Sequence, residues 1–175
     1  EAFARVYAAM LAFPVPTIAV CVGNVVGAGA ELACACDLRV GGDNLKLLFP
    51  GAKFGVPVGP ARLTPLIGMS KAKELIYTGR FVRAEEALQI GLVDQVVPAG
   101  EVYSAATTWA ARFADGPAYA LRAAKEAIDR GLETDIDTGL EIERQYFVGL
   151  FATEDRSIGM RSFIENGPGK ARFVG

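Results

Sequence analysis

Glu31 is the residue whose surroundings in this 175-residue chain could give it chemistry. It follows Gly23-Asn24-Val25-Val26-Gly27-Ala28-Gly29, a glycine-rich turn between the apolar run Thr17 to Val22 and the small-residue run Ala30 to Cys36. Glycines let the backbone take positive φ and let a ligand approach the main chain closely. The first amides of a helix lack internal partners and stand at the positive end of its dipole. A carbonyl laid against them is polarised, and an enolate oxygen forming there gains about 3–4 kcal/mol from each preorganised donor. A carboxylate one to two residues inside that helix is placed to move a proton at the neighbouring carbon. Such acid–base chemistry needs no histidine, and the chain has none. That absence removes Ser-His-Asp and Cys-His mechanisms and most zinc sites. A purely structural account of the turn also fits: glycine-rich strand-to-helix turns are widespread, and a first-turn glutamate complements the helix dipole anyway.

The elements that must hold this turn follow from periodicity. Phe3, Val6, Tyr7 and Met10 recur at helical spacing, predicting a helix over Glu1 to Ala12 that Pro14 and Pro16 end. Thr17 to Val22 predicts a strand buried on both faces, and Asp37 to Val40 and Leu45 to Phe49 predict two more around the Gly41-Gly42-Asp43-Asn44 turn. Beyond the Gly- and Pro-rich loop Gly51 to Pro60, the pattern turns helical: Ala61 to Ile67, a helix capped by Ser70 and running to Tyr77, and Arg83 to Gln89 stopped by Gly91. After a short strand, Leu92 to Val97, come longer helices over Glu101 to Ala114, Ala118 to Arg130, Asp135 to Phe151 and Glu154 to Glu165. On the third of these, Ile136, Leu140, Phe147 and Phe151 share a face. Strands first and helices later make the class α/β with a helical C-terminal region.

The totals exclude several functions. Half the residues are apolar, 22% are charged and the formal charge is -2, so nothing favours nucleic acid. No apolar run approaches the ~20 residues of a membrane span, and Glu1 to Met10 does not read as a secretory leader. Cys21, Cys34 and Cys36 form no Cys-x-x-Cys pair, which with their odd number predicts reduced, buried thiols and a cytoplasmic setting. The chain opens at Glu1, inside a helical pattern, which predicts a fragment or a processed form, or a start lost by trimming.

Longer stretches resemble a known family. Pro16-Thr17-Ile18-Ala19-Val20-Cys21-Val22-Gly23 leading to Gly27-Ala28-Gly29-Ala30-Glu31-Leu32-Ala33 is similar to the crotonase pattern P-x-I-A-x-V-x-G…G-G-G-x-E-L-A, and Cys36-Asp37-Leu38-Arg39 continues it. Gly68 to Leu75, Leu75 to Gly79 and Ala84 to Pro98 resemble the family's later helices and its G-L-V-x-x-V-V-P strand. Phe151 to Asp155 and Gly159 to Phe163 resemble its C-terminal F-x-T-x-D…G-x-x-x-F. The resemblance covers nearly the whole chain and identifies it as similar to the enoyl-CoA hydratase/isomerase superfamily.

That resemblance implies a crotonase/Clp-type spiral of ββα units, partial over 1–100, then a helical trimerisation region over 101–175. It implies an acyl-CoA thioester as ligand, with CoA part of the substrate and no further cofactor, fatty acid metabolism as the setting, and a homo-trimer or hexamer. Ala28, at the middle of the family's glycine triplet, would supply an oxyanion amide, with Gly27 and Gly29 bordering the substrate. Glu31 falls on the first catalytic glutamate. The second is absent, because Phe49-Pro50 is followed by Gly51. Lys53 is the nearest ionisable side chain in that loop, a substitute acid or simply a solvated lysine. The second oxyanion amide belongs to a segment ahead of Glu1. Phe163 and Lys170 resemble the C-terminal residues that approach CoA, although Lys170 and Arg172 read equally well as a charged tail. Cys34, Cys36, Trp109 and Tyr103 read as packing, and Tyr146 and Phe147 as core or trimer contact. A single carboxylate makes double-bond isomerisation, or another enolate reaction, as good an expectation as hydration. The rival is a non-catalytic acyl-CoA-binding homologue or truncated remnant. A Clp-type protease fails for want of a histidine.

Overall fold

The computed structural model describes residues 2–56 and 59–175. The expected helix start at Glu1 and the loop positions Pro57 and Val58 lie outside them. The chain divides into two compact units, Glu1–Phe13 with Thr17–Thr108, and Pro14–Pro16 with Trp109–Gly175.

The first unit opens with helix α1 (Ala2–Leu11), whose Tyr7 is buried. Strands β1 (Ile18–Cys21) and β2 (Asn24–Val26) lead into the short helix α2 (Ala28–Cys34), and β3 (Leu38–Gly42) and β4 (Lys46–Leu48) repeat the strand pair. A 3-10 turn (Gly51–Phe54), helices α3 (Pro60–Ile67) and α4 (Met69–Thr78), strand β5 (Val82–Arg83), helix α5 (Ala84–Gln89) and strand β6 (Gln95–Val97) follow. The strands form two three-stranded sheets, ordered β1-β3-β6 and β2-β4-β5. Pairing is parallel from Ile18↔Leu38 to Cys21↔Gly41, from Asn24↔Lys46 to Val26↔Leu48 and from Val40↔Gln95 to Gly42↔Val97; β5 alone runs antiparallel, to β4. Each successive strand pair thus lies beside the one before, one coil of a ββα spiral. Phe49, Leu45, Leu47, Leu63, Leu75 and Leu92 fill its centre, each 2% exposed or less.

Several sequence expectations change here. β1 is not buried on both faces: Cys21 points into the core, but Val20, on the opposite face of the strand, is 44% exposed. The glycine-rich turn contains a strand of its own, β2, hydrogen-bonded to β4. α2 begins two residues before Ala30, so Glu31 is its fourth residue. Ser70 does not cap α4, which Gly68 precedes at φ 77°. The start of the expected Arg83 helix is β5, and the Leu92 strand is confined to Gln95–Val97. Asp43 and Asn44 are turn residues, and their side-chain oxygens accept the N–H groups of Ala99 and Gly23.

Helix α6 (Val102–Ala114) crosses the division between the units. In the second unit α7 (Ala118–Leu132) packs on α8 (Ile136–Leu150), and α9 (Glu154–Asn166) precedes the tail. Asp135 caps α8 by accepting the Thr138 N–H at 3.1 Å, and Thr153 caps α9 through the Arg156 N–H at 3.3 Å. Ala123, Ile142 and Asp155 are buried. The expected face of Ile136, Leu140, Phe147 and Phe151 exists, but all are exposed, so Phe147 is not core. Tyr146 donates to Glu126. Tyr103 is exposed rather than packed. No helix among the described residues is long and apolar enough to cross a membrane.

Candidate active site

The turn between β2 and α2 has the geometry that its glycines suggest. Gly27 stands at φ 56°, ψ -116°, a conformation L side chains rarely adopt. Its own N–H is used by the Leu48 carbonyl at 2.9 Å, which ties the turn to β4. Its carbonyl accepts from Glu31 N–H at 2.9 Å, the first i to i-4 bond of α2. The amides of Ala28, Gly29 and Ala30 therefore precede the helical ladder, where donors lack intrahelical acceptors. A Cβ built on Gly27 or on Gly29 meets no described heavy atom within 4 Å, so the main chain here is open to close approach.

Glu31 leaves the same helix. Its side chain is 16% exposed and accepts a charge-assisted bond from Nη1 of Arg62 at 2.9 Å. Arg62 is placed by the packing of α3, where Leu63 is fully buried and Gly59 precedes the helix at φ 84°. The Arg62 guanidinium also lies over the Tyr7 ring, 4.7 Å from its centroid. The Tyr7 hydroxyl donates to the Ala28 carbonyl at 3.2 Å, and the Glu31 carboxylate acts on the phenol electrostatically. Burial first, then that carboxylate, push the Tyr7 phenol above its ordinary range, while Arg62 pulls the other way. Tyr7, Ala28, Glu31 and Arg62 thus form one connected cluster drawn from α1, α2 and α3.

Neither Tyr7 nor Arg62 is singled out by the sequence. Tyr7 reads as one more residue on the apolar face of α1, and Arg62 as the first charge after a loop. A signal was available only in part, in a tyrosine on an apolar helix face, whose hydroxyl must find a partner once buried. Gly51 is buried at the start of the 3-10 turn and carries no carboxylate. Lys53 is exposed, and its stem lies across Gly79, where a Cβ would stand 2.9 Å from Lys53 Cε. Phe163 and Lys170 are exposed members of the second unit. Neither lines the cavity of about 490 Å³ that opens there among Tyr119, Phe147, Phe151, Met160 and Phe173. Asp155 borders that cavity; Oδ1 accepts the Val174 N–H at 2.8 Å, and Oδ2 is buried without a hydrogen-bond partner.

Cys21 and Cys34 are buried, and burial pushes their thiols up to about 11 and about 12. Cys36 lies just past α2, half-buried. No cluster of three or more His, Cys, Asp or Glu side chains able to hold a metal ion occurs among the described residues.

Comparison with known proteins gives consistent matches. The family described as enoyl-CoA hydratase/isomerase matches residues 1–173. A protein named "Probable enoyl-CoA hydratase echA17" from Mycolicibacterium paratuberculosis is 46% identical over 147 residues, covering 82% of this chain and 57% of the relative. "Probable enoyl-CoA hydratase echA8" from Mycobacterium bovis is 42% identical over 166 residues, covering 93% and 65%. The crystal structure of an enoyl-CoA hydratase from Bacillus anthracis superposes with a TM-score of 0.88 at 38% identity, over 94% of this chain and 66% of that one. The chain thus spans 57–65% of the length of these curated relatives.

Proposed function

The chain belongs to the enoyl-CoA hydratase/isomerase family and has the crotonase fold, and from that premise we propose that it binds an acyl-CoA thioester and stabilises its enolate. The thioester oxygen would lie against the amides that open α2, that of Ala28 among them, with Gly27 and Gly29 bordering the acyl group. Glu31 would act as general acid/base at the carbon next to the carbonyl. The observation that carries this is the sharing of one short helix: its free amides and the Glu31 carboxylate stand within a single turn. CoA enters as part of the substrate. Phe163 and Lys170, exposed in the C-terminal unit, are the residues offered to CoA, the lysine as a phosphate partner.

One carboxylate can complete a proton shift. With a 3-enoyl thioester, Glu31 takes a proton from C2, and the C–H electron pair moves into the carbonyl to form a dienolate. The carboxyl then returns the proton at C4 as the electron pair flows back. Syn hydration needs a second group to activate water, and the side chain hydrogen-bonded to Glu31 here is the cation Arg62. Isomerisation or another enolate reaction is therefore the chemistry that this site supports best. A non-catalytic acyl-CoA binder is the second reading, favoured by the buried Gly51. Self-association as a trimer or hexamer, through the exposed apolar residues of the C-terminal helices, belongs to the same proposal. So does a cytoplasmic role in fatty acid metabolism.

The test is exchange of the C2 protons of butanoyl-CoA in D2O, followed by NMR beside hydration of a short trans-2-enoyl-CoA. Exchange that Glu31→Gln lowers by about 10²-fold or more supports the acid–base role. Thioester binding without exchange in either protein makes the chain a binder. Fast hydration lost with Glu31→Gln reveals a second acid and overturns the preference for isomerisation.

A further inference from the structure

We propose that Arg62 and Tyr7 are positioning residues for Glu31, a bracket that sets the acid–base carboxylate and the Ala28 peptide in one fixed relation. The inference rests on the acid–base role of Glu31 and adds two residues to which the sequence pattern assigns no part.

Three contacts build the bracket. Arg62 Nη1 donates to Glu31 Oε1 at 2.9 Å, which engages one carboxylate oxygen and restricts rotation of a long side chain. The Arg62 plane is itself held over the Tyr7 ring at 4.7 Å. The Tyr7 hydroxyl donates to the Ala28 carbonyl at 3.2 Å, so through Tyr7 and Arg62 the peptide that follows Ala28 and the carboxylate share an anchor. Both partners are well covered, with Tyr7 5% exposed and the Arg62 side chain 22% exposed. That places the ion pair away from the full screening that weakens surface pairs. Arginine suits the task because its planar fork donates without accepting. The Nε of Arg62 is buried without a hydrogen-bond partner, a second donor available if the carboxylate shifts while it carries a proton.

A bracket acts on rate and not on substrate affinity. A displacement of about 1 Å in a reacting group lowers turnover about 10²-fold. Arg62→Gln should therefore lower the rate constant of C2-proton exchange by about that factor and leave KM for butanoyl-CoA nearly unchanged. Arg62→Lys should recover only part, since it keeps the charge but not the fork. Tyr7→Phe keeps the ring under Arg62 and removes the hydroxyl, giving a smaller fall. The decisive comparison uses Glu31→Asp, which retains a carboxylate already displaced by one methylene. If Arg62 acts through Glu31, Arg62→Gln on that background should cost far less than on the native one.

Equal losses on both backgrounds overturn the proposal, and so does a loss confined to KM, which would make Arg62 a substrate-binding group. Undiminished exchange in Glu31→Gln would remove the acid–base role and the bracket with it, whereas loss in Glu31→Gln with an additive Arg62 removes the bracket alone. The phenol offers a readout free of turnover. With Tyr7 assigned by comparison with Tyr7→Phe, Glu31→Gln should let the phenol ionise at lower pH, because a carboxylate charge beside it is gone. An unmoved Tyr7 titration would mean that phenol and carboxylate are not neighbours in solution and would overturn the proposal as well.

Discussion

At the scale of single residues, Arg39 shows what a buried charge does in this core. It is 3% exposed, and Nε donates to the Leu92 carbonyl at 3.0 Å, Nη1 to that of Cys36 at 2.9 Å and Nη2 to Asp94 at 3.3 Å. Removing it strands two carbonyls and leaves Asp94 with only the backbone N–H of residue 39, so Arg39→Ala should cost about 3 kcal/mol. The measurement is a lower urea midpoint at an unchanged slope. The thiols give a second residue-scale prediction. Cys21 and Cys34 remain neutral in the folded chain up to about 11 and about 12, whereas an exposed thiol has a value of 9.0. Below pH 9 both states hold these protons and no effect appears. Above it the unfolded chain loses them first, so stability should fall as pH rises from about 9 toward 12. Replacing both cysteines with alanine should flatten that alkaline slope in denaturant titrations. A thiol reagent should label Cys36 before either buried cysteine.

At the scale of elements, the packing of α3 depends on Gly59, the residue just ahead of it. Gly59 stands at φ 84°, and a Cβ there would lie 3.2 Å from Phe49 Cδ1. Gly55 has nearly the same φ, 78°, with no described heavy atom within 4 Å of its missing Cβ. Gly59→Ala should therefore destabilise by more than the strain of about 1–3 kcal/mol that Gly55→Ala carries alone. Thermal unfolding of the two variants measures the difference. The same pair shows why elements are unequally legible in a sequence. Helices announce themselves by an apolar face and a stop residue, and α7, α8 and α9 lie close to where their spacing puts them. β2 is hidden inside a glycine-rich turn, and β5 is two residues ahead of a helix. Each exists only because β4 offers it an edge, a fact about the folded neighbourhood that no local window contains. The candidate site divides in the same way. Ala28 and Glu31 sit on one contiguous motif and can be read from it. Tyr7 and Arg62 join them from 21 and 31 residues away, through the packing of α1 and α3.

At the scale of the molecule, the C-terminal unit buries little. Ile136 and Ile164 are 76% and 78% exposed, and Leu132 and Phe163 are also open to solvent. Apolar exposure on this scale marks surfaces that associate. Self-association should therefore appear as a mass in native mass spectrometry several times that of the chain. The unfolding temperature should rise with protein concentration, since association stabilises the folded state by mass action. A monomer with a concentration-independent transition would remove trimerisation from the proposed function.

The strand order β1-β3-β6 also imposes a schedule on synthesis. β3, buried over almost its whole length, is tied to Thr17 by the Leu38 N–H, and to Asp94 by a bond from Arg39 spanning 55 residues. A ribosome adds roughly 5–20 residues each second, so β3 emerges several seconds before its second neighbour exists. During that interval its far edge presents unpaired N–H and carbonyl groups, the template on which strands of other chains assemble. The strand most enclosed in the finished protein is thus, while the protein is being made, the one most in need of a chaperone.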